Sequence, residues 1–349
     1  MTKNILFLLI IIFLLSFFSC KKDITGLGEI KKYMIIYEES EYEYLHTSKI
    51  ISIDTHGGNY QPLVDLSPLI CLDPVVSPNG KKFLFLTKPS SDIYIYDFSS
   101  STITNLTNSP EEEYPPTYSR DGLMIAYFSG PNLCVMDEDG GNKRILCQGD
   151  YISNPDFSPD GRSISYIKNS DLWIVNIDGT NNIKLYESWD GLRHFPIYSP
   201  QYSPDGYRIY FTEGGFSPAA GQTIEIYSIN IDGSNKSQLT NTYKNYNYCI
   251  DPLGRIIAFL SERDRYSQIY VMDMNGCNQM NLTLSSNYEI NPSFSPDGNY
   301  ICYVSQNYDG AGGDIYVVKS DGSSKTNITK GYNKNGYYKV RNPKFVPSK

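Results

Sequence analysis

Residues 154–185 read NPDFSPDGRSISYIKNSDLWIVNIDGTNNIKL, a stretch that describes two β-hairpins laid end to end. Ser158-Pro159-Asp160-Gly161 places Ser first, Pro second and Gly fourth, where a type I turn favours each. After that turn Ile164 and Tyr166 alternate with polar neighbours, a period of two that puts both on one face of a strand. Leu172 to Ile177 is a third run of strand formers, Asp178-Gly179 a second turn, and Ile183 to Leu185 a fourth strand. The stretch is one four-stranded antiparallel unit of roughly 40 residues, the size of a propeller blade.

The unit recurs at fixed spacings. The glycine of the first turn returns as Gly80, Gly122, Gly161, Gly206, Gly254 and Gly298, with an apolar residue three positions on and an aromatic five positions on in every copy, as in Phe83/Phe85 and Ile301/Tyr303. The glycine of the second turn is Gly57, Gly140, Gly179, Gly233, Gly276 or Gly322, with Ser100 standing in once. An aliphatic residue lies seven before it and another six after it, from Ile50/Leu63 to Ile315/Ile328. The chain ends account for the one missing first turn. Ile35 and Tyr37 match the second strand of a copy without its first strand, and 342–347, NPKFVP, matches 291–296, NPSFSP, a first strand with nothing after it. Either the last repeat is decayed, or the C-terminal strand completes the first blade and closes a ring that leaves only short, protected edges. The second reading predicts an all-β, seven-bladed propeller of four-stranded antiparallel blades; the alternative is six blades with an irregular N-terminal hairpin.

The pattern (N)P-x-F-S-P-D-G, I-x-Y, D-I-Y-V, D-G, L-T resembles the PD40, or WD40-like, repeats of TolB-like propellers over about residues 33 to 349. The resemblance implies the fold and leaves function open. TolB itself carries an α/β domain before its propeller, whereas the residues before the first repeat here read only as a leader and tether.

In that leader, Lys3 gives a positive start, Ile5 to Leu15 an apolar stretch short for a bilayer span, and Phe17-Phe18-Ser19-Cys20 follows. The ending resembles a bacterial lipobox. On that resemblance residues 1–19 are a lipoprotein signal peptide, Cys20 is the lipidated mature N-terminus, 20–31 is a tether and 32–349 the propeller, in a membrane-anchored lipoprotein of the cell envelope. An ordinary signal peptide with an incidental cysteine is the plainer alternative. A net charge of −8 with no basic run argues against a nucleic-acid partner. Cys71, Cys134, Cys147, Cys249, Cys277 and Cys302 have no C-x-x-C spacing, and no cofactor or metal is expected. A hairpin centred between Gly140 and Gly141 sets Cys134 opposite Cys147, as a disulfide or as two buried thiols.

Strands alternate direction within a blade, so the S-P-D-G and D-G turns share one face, while the second connection and the inter-blade link share the other. The turns are nearly constant in length. The spacing from aromatic to third strand runs from 6 to 15 residues, and from fourth strand to the next first turn from 15 to 21. All length variation therefore falls on one face, where binding residues concentrate. Residues 187–198, ESWDGLRHFPIY, put Trp189, Asp190, Arg193, His194 and Phe195 there, and neighbouring loops add Phe216, Tyr243, Tyr246, Tyr288 and Tyr308. Aromatics with Arg and carboxylates suit a protein or glycan ligand; packing of the loops onto the propeller explains the same rings without one. Glu111, Glu112 and Glu113 read as a solvated acidic loop.

Asp121, Asp160, Asp205 and Asp297 recur at one turn position and read as turn formers. Asn105, Asn281 and Asn327 head N-x-T triplets at the fourth-strand position, which explains them without glycosylation. The leading expectation is a non-catalytic, lipid-anchored binding module. The alternative is an oligosaccharide-active enzyme, because oligogalacturonate lyases share similar repeats. Their metal-binding histidines have no evident counterpart, since His56 falls on the tight-turn face and His194 on the other, with His46 the third.

Overall fold

The computed structural model describes residues 33–41, 48–189, 195–217, 221–307, 312–330 and 338–347, and every regular element among them is a β-strand. The strands form six sheets, antiparallel but for one pair. Five have four strands each, consecutive in sequence. The sixth has eight, in which Ser48 and Ile70 form the parallel pair that joins two four-stranded halves. One half contains Tyr338–Pro347, Tyr33–Glu41, Ser48–Asp54 and Gln61–Val64, so the C-terminal strand is the inner neighbour of the N-terminal one. Ile35 faces Phe345 in that ladder, as the tail-to-head reading requires.

Apolar residues on both faces of the strands make the core. Each cluster draws on two successive four-stranded units. Ile167 and Leu172 pack with Ile197, Ile209 and Phe211, for example, and Tyr210 and Ile226 with Ile257 and Phe259. Another joins Tyr300, Val304, Ile315 and Ile328 of the last sheet to Tyr33, Ile35 and Ile51 of the first, so the two ends of the chain share one interior. Burying a side chain such as Phe211 or Phe259 fully contributes roughly 1.5–3 kcal/mol.

The recurrent turn residues have specific tasks. In the Ser158 copy the hydroxyl donates to Asp160 Oδ1 (2.6 Å) and accepts from Ser163 N–H (3.0 Å), while Gly161 N–H closes the turn on Ser158 O (2.9 Å). The same set recurs at Ser119, Ser203 and Ser295. The Asp–Gly turns carry an inter-unit contact as well. A Cβ on Gly276 would stand 2.9 Å from Leu239 O of the preceding sheet, and one on Gly57 2.5 Å from Ile328 O. In the copy without glycine the turn is one residue longer. Ser101 N–H bonds Asp97 O and Ser101, not Ser100, takes the positive φ of 55°.

The N-x-T triplets are internal fastenings. Thr329 Oγ1 donates to Asp314 Oδ1 (3.1 Å) and accepts Ile315 N–H (2.8 Å), while Asn327 Nδ2 reaches Asp314 Oδ2 (2.8 Å). The Asn105–Thr107 pair does the same with Asp92 and Ile93.

Several expectations are corrected. The Cys134–Cys147 pairing fails because a bulge between Leu133 and Cys134 sets Cys147 opposite Leu133 and Cys134 opposite Ile145. All six described cysteines are free thiols; Cys277 is exposed. The acidic run is not wholly solvated either: Glu113 is 1% exposed and accepts from Ser129 Oγ (3.1 Å), while Glu112 pairs with Lys88 at the surface.

Candidate binding face

The residue seven before the first-turn glycine position is left-handed in six copies: Asp73, Asn154, Ser199, Asn247, Asn291 and Asn342 have φ between 47° and 55°, and all but Asn247, which Tyr248 follows, precede a proline. At each the register of the inner strand shifts, which ejects two residues from the ladder. Asn and Asp tolerate this backbone better than most. Pro115 holds the equivalent place in the remaining copy, where its ring fixes φ negative, and there the inner strand shrinks to Thr117–Tyr118. In that copy Arg120 also replaces the turn proline. Its guanidinium crosses to Pro204 O (2.8 Å) and Pro252 O (3.2 Å), tying three turns together on the short-turn face.

On the opposite face the widest departure from the repeat is a protruding hairpin. Arg208–Ser217 and Gly221–Asn230 have ten residues each, against six in Ser163–Lys168 and Asp171–Asn176. The long spacing between Phe211 and Ile226 is therefore mostly strand rather than loop. Between this hairpin and the next sheet lies a cleft of about 560 Å³. Its walls include Phe195, Pro196, Tyr198, Phe216, Tyr246 and the backbone of Gly214 and Gly215. Tyr198 and Phe216 are exposed into it, Phe216 by 55%. At one side Lys244 Nζ pairs with Glu262 Oε2 (2.7 Å), and Tyr246 Oη donates to Glu262 Oε1 (2.9 Å). Burial and that carboxylate outweigh a Ser267 hydrogen bond and push the Tyr246 phenol up to about 12.

The cleft is held by buried polar groups. Glu225, 5% exposed, accepts from Thr240 Oγ1 (2.5 Å), Asn245 Nδ2 (2.8 Å) and Tyr243 N–H (2.5 Å). These bonds keep Tyr243 at a φ of 80°, from which its carbonyl accepts Ile224 N–H (2.8 Å). Sheet and link are thereby locked to each other.

Of the residues expected on this face, Phe195, Phe216 and Tyr246 meet in the cleft and Tyr243 stands on its rim. Tyr288 instead packs edge-on against Tyr266, ring centroids 5.4 Å apart. Trp189 is exposed but is not part of the lining. Asp190, Arg193, His194, Tyr308, His46 and Cys20 lie outside the described residues. Tyr198, Lys244 and Glu262 were not singled out by the sequence. Tyr198 lies in, and Lys244 just before, an inner strand whose register depends on the left-handed bulge, and Glu262 on an unusually long second strand. Among the described residues no group of three or more His, Cys, Asp or Glu side chains is placed to hold a metal ion, and no helix is long and apolar enough to cross a membrane.

The family model for the TolB beta propeller domain, PD40, matches residues 130–337. The chain belongs to the PD40 family. Tol-Pal system protein TolB from Francisella tularensis subsp. mediasiatica (strain FSC147) is 27% identical over 261 residues, covering 71% of this PD40 chain and 59% of the relative. The subsp. holarctica (strain OSU18) protein is 28% identical over the same length. The chain thus spans about six tenths of the length of the curated relatives it matches. Among solved structures, TolB from Acinetobacter baumannii superposes with a TM-score of 0.58 at 19% identity, over 91% of this chain and 68% of that one. An oligogalacturonate lyase in complex with manganese gives 0.61 at 15% identity, over 78% and 82%. At these identities the likeness is one of fold.

Proposed function

We propose that this PD40 chain is a lipid-anchored, seven-bladed propeller of the bacterial cell envelope that acts as a non-catalytic binding module. Separating the two halves of the eight-stranded sheet gives seven blades, and the hydrophobic clusters between successive units, the last-to-first one included, support that count. The N-terminal Phe17-Phe18-Ser19-Cys20 supports the anchor, and the relatives named as Tol-Pal system proteins support an envelope location.

The observation that carries the binding role is the cleft: of its four aromatic rings, Tyr198, Phe216 and Tyr246 stand on strands rather than on loose loops, so ordering them for a partner loses little entropy. Large rigid rings beside a charged pair are the usual anchors of a protein interface. The partner is accordingly an envelope protein. The test is affinity capture from detergent-solubilised membranes with Tyr198→Ala/Phe216→Ala. The account expects loss of the co-purifying partner with an unchanged unfolding midpoint; undiminished capture removes the cleft from the interface.

An oligosaccharide-active enzyme is the second reading, favoured by the Lys244–Glu262–Tyr246 cluster in the same cleft. Release of unsaturated or reducing-end sugars from oligosaccharides by the purified chain, abolished in Glu262→Gln, would replace the first reading with this one.

A further inference from the structure

The described chain begins and ends at one face of the propeller. Tyr33 pairs with Pro347. Pro347 holds the place of the proline in the S-P-D-G turns and abuts the next of them, since a Cβ on Gly80 would lie 2.5 Å from its Cδ. Tyr33 therefore starts its strand at the level of the short turns, close to the axis, and the residues leading back to Cys20 join the propeller there.

Residues 21–32 reach at most about 40 Å when fully extended. A route to the other face passes outward over two strands and then along a seven-residue strand such as Ser48–Asp54. That path takes roughly 35 Å, nearly the whole reach.

The short-turn face also exposes apolar side chains of the kind that rest at a lipid boundary. Leu123, Tyr207 and Leu253 project from its turns at 65%, 73% and 62% exposure, with Ile231 bonded through its N–H to Tyr207 O. Lys81, Arg120 and Arg162 are exposed among them, as are the turn carboxylates Asp121, Asp139, Asp178, Asp232 and Asp321. The carboxylates of Asp160 and Asp205 are bound by the hydroxyls of Ser158 and Ser203 in their own turns. Aromatic and aliphatic side chains interleaved with long cations sit well at headgroup level.

We propose that the short-turn face lies against the lipid surface to which the chain is tethered, so that the aromatic cleft points away from the membrane; this rests on the anchored reading of Cys20.

Cys277, exposed in the turn after Gly276, reports on the short-turn face. Leu284, 82% exposed in the link between the last two sheets, reports on the other. The full-length protein is reconstituted into vesicles of phosphatidylethanolamine and phosphatidylglycerol containing a headgroup-linked quencher. A fluorophore is placed on Cys277, or on Leu284→Cys in a Cys277→Ser background. Quenching at Cys277 is expected to exceed that at position 284 by about threefold or more, given a disc about one strand thick. Flotation with the vesicles is measured first. A chain that does not float, or a Cys20→Ser variant that still does, overturns the anchor and this orientation together. A chain that floats yet shows equal quenching, or stronger quenching at position 284, overturns the orientation alone.

Discussion

Gly57 lies against Ile328 across the contact between the first and last units: its φ is +80°, and an added Cβ would stand 2.5 Å from the Ile328 carbonyl oxygen. Gly221 has a similar φ of +75° with nothing within 4 Å of its would-be Cβ. Both Gly57→Ala and Gly221→Ala meet the left-handed backbone penalty of about 1–2 kcal/mol. Only Gly57→Ala must also push two units apart. Thermal unfolding should show a larger loss for Gly57→Ala, and equal losses would mean that the two ends do not close as described.

Thr329→Val keeps the shape of a residue that is 2% exposed but removes the hydroxyl between Asp314 and Ile315 N–H. A buried donor left unmatched costs about 1–3 kcal/mol. Chemical denaturation should show a fall of that size, and a neutral variant would separate the N-x-T repeat from any structural role.

Glu38 ties the chain ends to the neighbouring unit. Its carboxylate accepts Asp73 N–H (2.6 Å) and Asn342 Nδ2 (2.7 Å), and Asn342 also reaches Asp73 Oδ1 (3.0 Å). Burial, reinforced by Asp73, raises Glu38 from 4.5 to about 7 against the pull of those bonds and of Arg341. The folded state then holds this proton more tightly than the unfolded one. Its contribution is complete below pH 4.5 and is lost as the pH rises towards 7. Asp156, raised by burial to about 7, acts in the same direction. Denaturation measured between pH 4.5 and 7.5 should show stability declining with pH, and Glu38→Gln should make the decline shallower. A slope unchanged in the variant would remove Glu38 from the closure.

Arg120→Ala removes two bonds that cross to Pro204 and Pro252. The side chain is exposed, so the expected loss is modest, about 1 kcal/mol. Amide exchange should rise selectively around the turns at 203–206 and 251–254. A change confined to the turn of Arg120 itself would contradict the bridging role.

Much of the architecture was legible because its determinants are local. The turn glycines, Ser158 and Asp160 act within a few residues, and the NPKFVP tail repeats NPSFSP closely enough to predict which strand it joins. What escaped were displacements of a single residue. Leu146, counted as an ordinary fourth-strand position, is the extra residue of a bulge, which is why Cys134 and Cys147 miss each other. The Asn–Pro pairs at 291 and 342 were read as repeat markers, though their left-handed asparagines, with Asp73, Asn154, Ser199 and Asn247 at the same place, re-aim every inner strand but one. Glu113 was read by its neighbours, whereas its partners are Thr107, just past a fourth strand, and Ser129 at the end of a second strand. The cleft shows the same limit: Phe195, Phe216 and Tyr246 were named for their face, but only the extension of the hairpin to ten residues per strand brings them to one hollow.

The claim that matters most is that the partner is met by the face bearing this hairpin. A photo-activatable amino acid placed at Phe216, and separately at Tyr207 on the short-turn face, tests it in living cells. The account predicts a discrete protein adduct from position 216 and none from position 207. A protein adduct formed from position 207 but not from 216 would contradict it.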